Sequence, residues 1–177
     1  LPEPALLGFE AHDIRTRWPV PRPADDKYSQ GVKGVLAGSA TYPGAAILST
    51  GAAVAATSGM VRYAGAAHAE VVSHWPEVVA ASDASAAGRV QAWVVGPGGG
   101  DDVADLLAAS LADDVPVVVD AAALEHATPG HPRQVLTPHA GELAAMLGTD
   151  RSLVEADPLA HARRAADHFG CTVLLKG

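Results

Sequence analysis

From Gly34 onward the chain alternates short apolar runs with longer stretches in which apolar positions recur every three or four residues. The runs predict strands at Gly34–Ala37, Met60–Tyr63, Ala92–Val95, Val115–Val119 and Val135–Leu136, with a last one over Thr172–Leu175. The helical spacing predicts helices at Ala45–Thr57, Asp101–Leu111, Ala140–Leu147 and Leu159–Phe169, the last closed by Gly170. Asp101 and Asp102 place negative charge at the positive end of their helix. Between Tyr63 and Arg89 the pattern is looser. The unbroken apolar character of Val115–Val119 implies burial on both faces, the mark of a parallel sheet covered on two sides. The alternation predicts a three-layer α/β/α sandwich with a mostly parallel sheet.

The segment Leu1–Pro23 breaks this pattern. Its five prolines (Pro2, Pro4, Pro19, Pro21 and Pro23) cannot donate to a regular ladder, so residues 1–24 read as a linker or strap and the body runs from Asp25 to Gly177. The 177 residues suffice for one core of ordinary size. A net charge of −8, with no cluster of Lys or Arg, argues against nucleic acid as a partner. Apolar runs such as Ala52–Ala56 are too short to span a bilayer, so no membrane role is expected. The single cysteine, Cys171, cannot close an internal disulfide; it reads as a buried thiol and fits a reducing cytoplasm. The chain opens without Met and stops directly after a strand signal, so both ends read as cut and the C-terminal part of the fold as missing.

Ligands of open parallel sheets sit beyond the carboxyl ends of the strands. That rule selects Gly38 and Ser39, Gly96–Gly100, Asp120, Thr137–His139, and Lys176 with Gly177. Together they offer backbone amides, a carboxylate, an imidazole and an ammonium, a mixture suited to a phosphorylated ligand. Each also has a plainer reading. Gly96-Pro97-Gly98-Gly99-Gly100 lacks the spacing of a dinucleotide fingerprint and the Lys-Ser/Thr ending of a P-loop, so a simple turn is an equal alternative. Asp120 reads better as a cap or turn former than as a ligand group, and Glu142 as a helix cap. His139, held between Thr137-Pro138 and Gly141 at the start of a helix, is the sharpest candidate. The other histidines are scattered and form no metal set, so no zinc or other protein-held metal is expected. Tyr28, Trp75 and Trp93 read as packing residues.

In order along the body, Lys27-Tyr28 with Gly31, Gly38-Ser39 followed by Tyr42-Pro43-Gly44-Ala45-Ala46, Ser58-Gly59-Met60-Val61-Arg62, Trp75-Pro76-Glu77, Gly96-Pro97-Gly98, Asp120-Ala121-Ala122-Ala123-Leu124, Thr137-Pro138-His139-Ala140-Gly141-Glu142 and Val173-Leu174-Leu175-Lys176-Gly177 resemble the NAD(P)H-hydrate dehydratases of the ribokinase-like fold. The segment Ala5-Leu6-Leu7-Gly8-Phe9-Glu10 resembles the connector of actinobacterial bifunctional members, in which an epimerase domain precedes the dehydratase.

The resemblance implies a repair lyase that removes water from (S)-NADH-hydrate or (S)-NADPH-hydrate, coupled to cleavage of ADP (or ATP), with Mg2+ accompanying the phosphates. It implies that Ala45, Gly98 and His139 contact the hydrated dinucleotide and that Lys176 and Gly177 begin the segment holding the adenine nucleotide. It also implies a homo-oligomer, commonly a tetramer. The family's Gly-Ser/Thr-Gly-Asp turn, with its anion hole and catalytic Asp, does not occur in this chain, so no catalytic residue is assigned. Ala122 stands where an acid is frequent, Asp26 where many members carry His, and Gly99-Gly100 where Leu-Gly is commoner. Two other readings stay open: a ribokinase-like kinase acting on a vitamin precursor, and a non-catalytic nucleotide-binding domain.

Overall fold

A computed structural model describes residues 6–18, 20–56 and 59–177. Leu1–Ala5 and Pro19 of the expected strap, Thr57 at the end of an expected helix, and Ser58 of a family motif lie outside the described residues.

Seven strands form one sheet, and every pairing in it is parallel. They are β1 (Val32–Leu36), β2 (Met60–Ala64), β3 (Val79–Ala81), β4 (Ala92–Val95), β5 (Val117–Val119), β6 (Gln134–Leu136) and β7 (Thr172–Val173), arranged in the order β3-β2-β1-β4-β5-β6-β7. The helices are α1 (Ala11–Arg17), α2 (Pro43–Ala55), α3 (His68–His74), α4 (Val103–Ala112), α5 (Ala140–Leu147), α6 (Arg151–Ala156) and α7 (Pro158–Phe169). Pro43 and Pro158 open their helices, where a missing N–H costs nothing, and Gly148 and Gly170 close α5 and α7 in the left-handed conformation.

Alternate residues of each strand build two cores. Leu36, Val95, Val119 and Leu136 are neighbours across the sheet and are buried at 0–2% exposure beneath α4, α5 and α7. On the other face Val35 is buried with Ala46, Ala53, Ala67 and Val71 of α2 and α3, or of the turn that starts α3. Further along that same face Val94, Val118 and Val135 are only half-buried. Gly34 keeps the centre of the sheet thin: a Cβ there would fall 2.2 Å from the Trp93 ring, which fills the space instead.

Several expectations shift. Strand β5 begins at Val117 rather than Val115, since Pro116 has no N–H to donate. The last strand ends at Val173, yet its pairing resumes through Leu174 N–H to Leu136 O at 2.8 Å, Lys176 N–H to Pro138 O at 2.8 Å, and a parallel bridge between His139 and Lys176. The looser region contains α3 and β3, and α6 lies between two expected helices. Within the proline-bearing segment, Glu10 and Asp13 form a reciprocal cap for α1, none of whose residues is buried. Trp93 is buried, and Trp75 donates from Nε1 to Ile47 O at 3.0 Å. Tyr28 contradicts its reading as a packing residue: it is 53% exposed, because its turn lies outside both cores. Cys171 is half-buried rather than buried.

Candidate functional site

Sequence order runs outward from the centre of the sheet in both directions: β1 to β3 one way, β4 to β7 the other. The reversal lies between β1 and β4, the place where a crevice opens beyond the carboxyl ends of a doubly wound sheet. The two loops that leave it are Gly38-Ser39 and Gly96–Gly100. Gly38 N–H donates to Pro97 O at 2.7 Å, locking one to the other. Gly98, at φ +63, has room for hydrogen only: a Cβ there would sit 2.5 Å from Ala45 Cβ and 3.4 Å from Gly38 Cα. Ala45 lies in the first turn of α2, whose N-cap Tyr42 supplies no side-chain bond, so this positive helix end carries no side-chain cap. Ala45 and Gly98 thus meet in a patch of bare backbone at the switch point.

Part of the support behind this patch comes from a residue the sequence reading did not select, Tyr63. Tyr63 Oη donates to Ala37 O at 2.9 Å and accepts from Ala67 N–H at 3.3 Å, which fixes β1 just before Gly38. Burial pushes the Tyr63 phenol above its usual range, so it remains a donor. Gly96, at φ +114, crosses beneath Asp120, and a Cβ would fall 2.0 Å from Asp120 O.

Two strands further along, polar side chains replace bare backbone. His139 is the N-cap of α5: Nδ1 accepts from Gly141 N–H at 3.0 Å and from Glu142 N–H at 3.1 Å, while Glu142 Oε2 accepts from His139 N–H at 2.7 Å. A Cβ at Gly141 would stand 3.1 Å from His139 Cε1, so the glycine makes room for the ring. With Nδ1 accepting, the neutral ring carries its proton on Nε2, which lies 3.5 Å from Glu142 Oε1. The imidazole is 57% exposed. Capping and an exposed ring face therefore coexist in one residue.

Lys176 joins this group through the His139–Lys176 bridge. Its Nζ donates to Asp120 Oδ1 at 2.6 Å and lies 3.8 Å from Glu142 Oε2. Asp120 occupies the N-cap position of a 3-10 turn, Ala121–His126, but its side chain makes no cap bond. The plainer reading of Asp120 as a cap thus gives way to a partner for Lys176. Ala121 is held at φ +49, a conformation a non-glycine residue seldom adopts, directly after this carboxylate. Gly177 follows and is exposed. Cavities of about 670 and 710 Å³ flank His139, one against Leu124, Met146 and Phe169, the other against Val154, Leu159 and Lys176.

The expected residues therefore form two groups on one edge: Ala45 with Gly98 at the switch point, and His139 with Lys176 and Gly177 beyond β6 and β7. Neighbouring strands lie about 4.8 Å apart, so the groups are separated by about 10–15 Å, a span within the reach of a dinucleotide. Asp120 and Glu142 bind the second group together. The strand-end rule selected Asp120, and Glu142 was expected only as a helix cap; with Asp120 and Lys176 56 positions apart no local pattern could pair them.

Known proteins resemble this chain in sequence and fold. The bifunctional NAD(P)H-hydrate repair enzyme Nnr of Mycobacterium tuberculosis is 59% identical over 182 residues, covering 97% of this chain and 38% of that enzyme. The ADP-dependent (S)-NAD(P)H-hydrate dehydratase of Neisseria meningitidis serogroup B is 37% identical over 166 residues, covering 83% of this chain and 56% of that protein. The structure of the ADP/ATP-dependent NAD(P)H-hydrate dehydratase of Bacillus subtilis, co-crystallised with ATP and Mg2+, superposes with a TM-score of 0.84 at 26% identity, over 94% of this chain and 65% of that one. The chain thus spans about two fifths of the bifunctional relative. The family model described as NAD(P)H-hydrate dehydratase matches residues 33–177, and the chain belongs to that family.

Proposed function

We propose that this chain forms the hydrate-binding edge of an enzyme that returns (S)-NADH-hydrate and (S)-NADPH-hydrate to NADH and NADPH at the expense of ADP or ATP. The observation that carries the reading is the bridge between His139 and Lys176, which puts the expected hydrate-contacting residue beside the expected nucleotide segment. Ala45 and Gly98 then receive the other part of the hydrated dinucleotide over bare backbone. Lys176 and Gly177 begin the nucleotide's cradle.

The chemistry explains the need for a nucleotide. Hydroxide leaves poorly from the hydrated ring, whereas a phosphate ester leaves readily. The ring hydroxyl attacks the terminal phosphorus of ADP and AMP departs. The ring nitrogen's lone pair then expels phosphate as a ring proton is lost, restoring the dihydronicotinamide. Electrons and atoms balance: hydrate and ADP give NADPH, AMP and phosphate. In this scheme Lys176 offsets phosphate charge and His139 Nε2–H orients the hydrated partner. No catalytic residue is assigned among these 177 residues.

Mg2+ fits as the counter-ion of the nucleotide phosphates. Among the described residues no group of three or more His, Cys, Asp or Glu is placed to hold a metal, and Asp120 is already paired with Lys176. A magnesium ion held mainly by phosphates needs no such group. We place the enzyme in the cytoplasm, as a homo-oligomer, with residues 1–24 leading from an epimerase domain and residues 25–177 within the dehydratase domain. The test is to present purified S and R hydrates to the full-length enzyme with Mg2+, with and without ADP. With ADP the S form should regain the absorbance of the reduced nicotinamide at once, and the R form only as fast as the epimerase domain converts it to S. Conversion of the S form without a nucleotide, or no conversion of it with ADP or ATP, would remove the reading.

A further inference from the structure

Buried polar atoms without a partner include one from a charged side chain, Arg62 Nε. Arg62 lies in β2, opposite Gly34 of β1, about 13 Å along the strands from the Gly38 turn. Its Nη1 donates to Ala87 O at 2.8 Å. Gly88, at φ +73, clears the space, since a Cβ there would meet Nη1 at 2.8 Å. Among the described residues no carboxylate pairs with Arg62. In a chain with twenty acids and twelve Lys and Arg, a half-buried guanidinium without a counter-charge is anomalous. Such a group is unfavourable until an anion completes it.

A cavity of about 530 Å³ opens on Arg62, and its remaining walls are Tyr28, Val32, Arg89 and Gln91. Gln91 is fixed at both ends of its amide: Oε1 accepts from Val32 N–H at 2.6 Å, and Nε2 donates to Tyr28 O at 3.3 Å. Arg89 is exposed and has no ion pair among the described residues. The nearest acids in sequence to Tyr28 are engaged in their own turn, Asp25 by Arg22 N–H and Gln30 Nε2, Asp26 by Tyr28 N–H and Ser29 N–H. The turn at Lys27-Tyr28 and the strand at Arg62 have no role in the proposed dehydration.

We propose that Arg62, Arg89 and the Tyr28 hydroxyl form a binding site for a small oxyanion, the phosphate or carboxylate group of a metabolite, away from the carboxyl edge of the sheet. Guanidinium forks match paired oxygens in both geometry and charge, and a phenol adds a further donor. This assignment is independent of the dehydratase reading.

The test titrates the protein with inorganic phosphate and, separately, with malonate, following the thermal midpoint. A tighter response to phosphate identifies a phosphoryl ligand, and a tighter response to malonate a carboxylate. Arg89→Gln alters an exposed side chain and leaves folding intact; Lys176→Ala removes the cation at the other candidate anion site. The expected result is a saturable rise that persists in Lys176→Ala and that, in that background as in the parent, weakens about tenfold with Arg89→Gln and with Arg62→Lys. No saturable response to either anion, or the same affinity in Arg89→Gln as in the parent, would overturn the site.

Discussion

Lys176 Nζ stands 2.6 Å from Asp120 Oδ1, tying the segment beyond β7 to the end of β5 across the intervening strand. Both side chains are partly exposed, at 39% and 28%. Such a pair contributes at most about 1 kcal/mol to stability, so its value lies in where it holds the ammonium. Asp120→Asn should leave the thermal midpoint nearly unchanged and raise the KM for ADP about tenfold, with Lys176→Ala giving a similar rise. The double variant should be no worse than the worse single one, a non-additivity read from KM values in a mutant cycle. Additive effects would separate the two residues.

Gly96 and Gly98 should fail in different ways. Gly96→Ala drives a Cβ to 2.0 Å from the Asp120 carbonyl at φ +114, so about 2–4 kcal/mol of stability should be lost in urea unfolding. Gly98→Ala places its Cβ against Ala45 Cβ and fills the bare patch at the switch point. Its principal effect should be a rise of about tenfold or more in the KM for the hydrated dinucleotide, with a smaller loss of stability from the positive φ.

His139 has two jobs that substitution can separate. His139→Ala loses the N-cap of α5 and should cost about 1 kcal/mol as well as hydrate affinity. His139→Asn keeps an acceptor for Gly141 and Glu142 N–H but cannot reach as far as Nε2. It should restore the urea midpoint without restoring the KM for the hydrate. The KM for ADP should change little in either variant. Recovery of both midpoint and hydrate affinity in the Asn variant would make His139 a cap alone.

Cys171 provides a pH readout. Burial pushes its thiol above the usual value, so at any pH below that raised value the folded protein carries less thiolate than the unfolded chain. Alkylation near neutral pH should therefore be slower in the folded protein than in urea, and this thiolate deficit should shrink as pH climbs past the raised value. Equal rates at neutral pH would contradict the burial.

The parts legible in the sequence were those whose signal is local. Buried parallel strands such as β4 announce themselves as apolar runs, and their carboxyl ends locate the candidate site before any contact is known. Strand β3 escaped because it is three residues long and its first residue, Val79, is 47% exposed at the sheet's edge. Helix α1 was masked by the surrounding prolines despite the cap formed by Glu10 and Asp13. His139 was legible as a residue placed by a turn. Its Nδ1 cap was not, since histidine is outside the usual set of capping residues. The Asp120–Lys176 pair depends on three strands lying in register, information that is carried by the fold alone.

The most direct test follows the oxygen. With (S)-NADPH-hydrate carrying heavy oxygen in its ring hydroxyl, ADP and Mg2+, the full-length enzyme should form NADPH and AMP in equal amounts, with the label in inorganic phosphate. Label released as water, or a stable phosphorylated product without NADPH, would contradict dehydration through phosphoryl transfer.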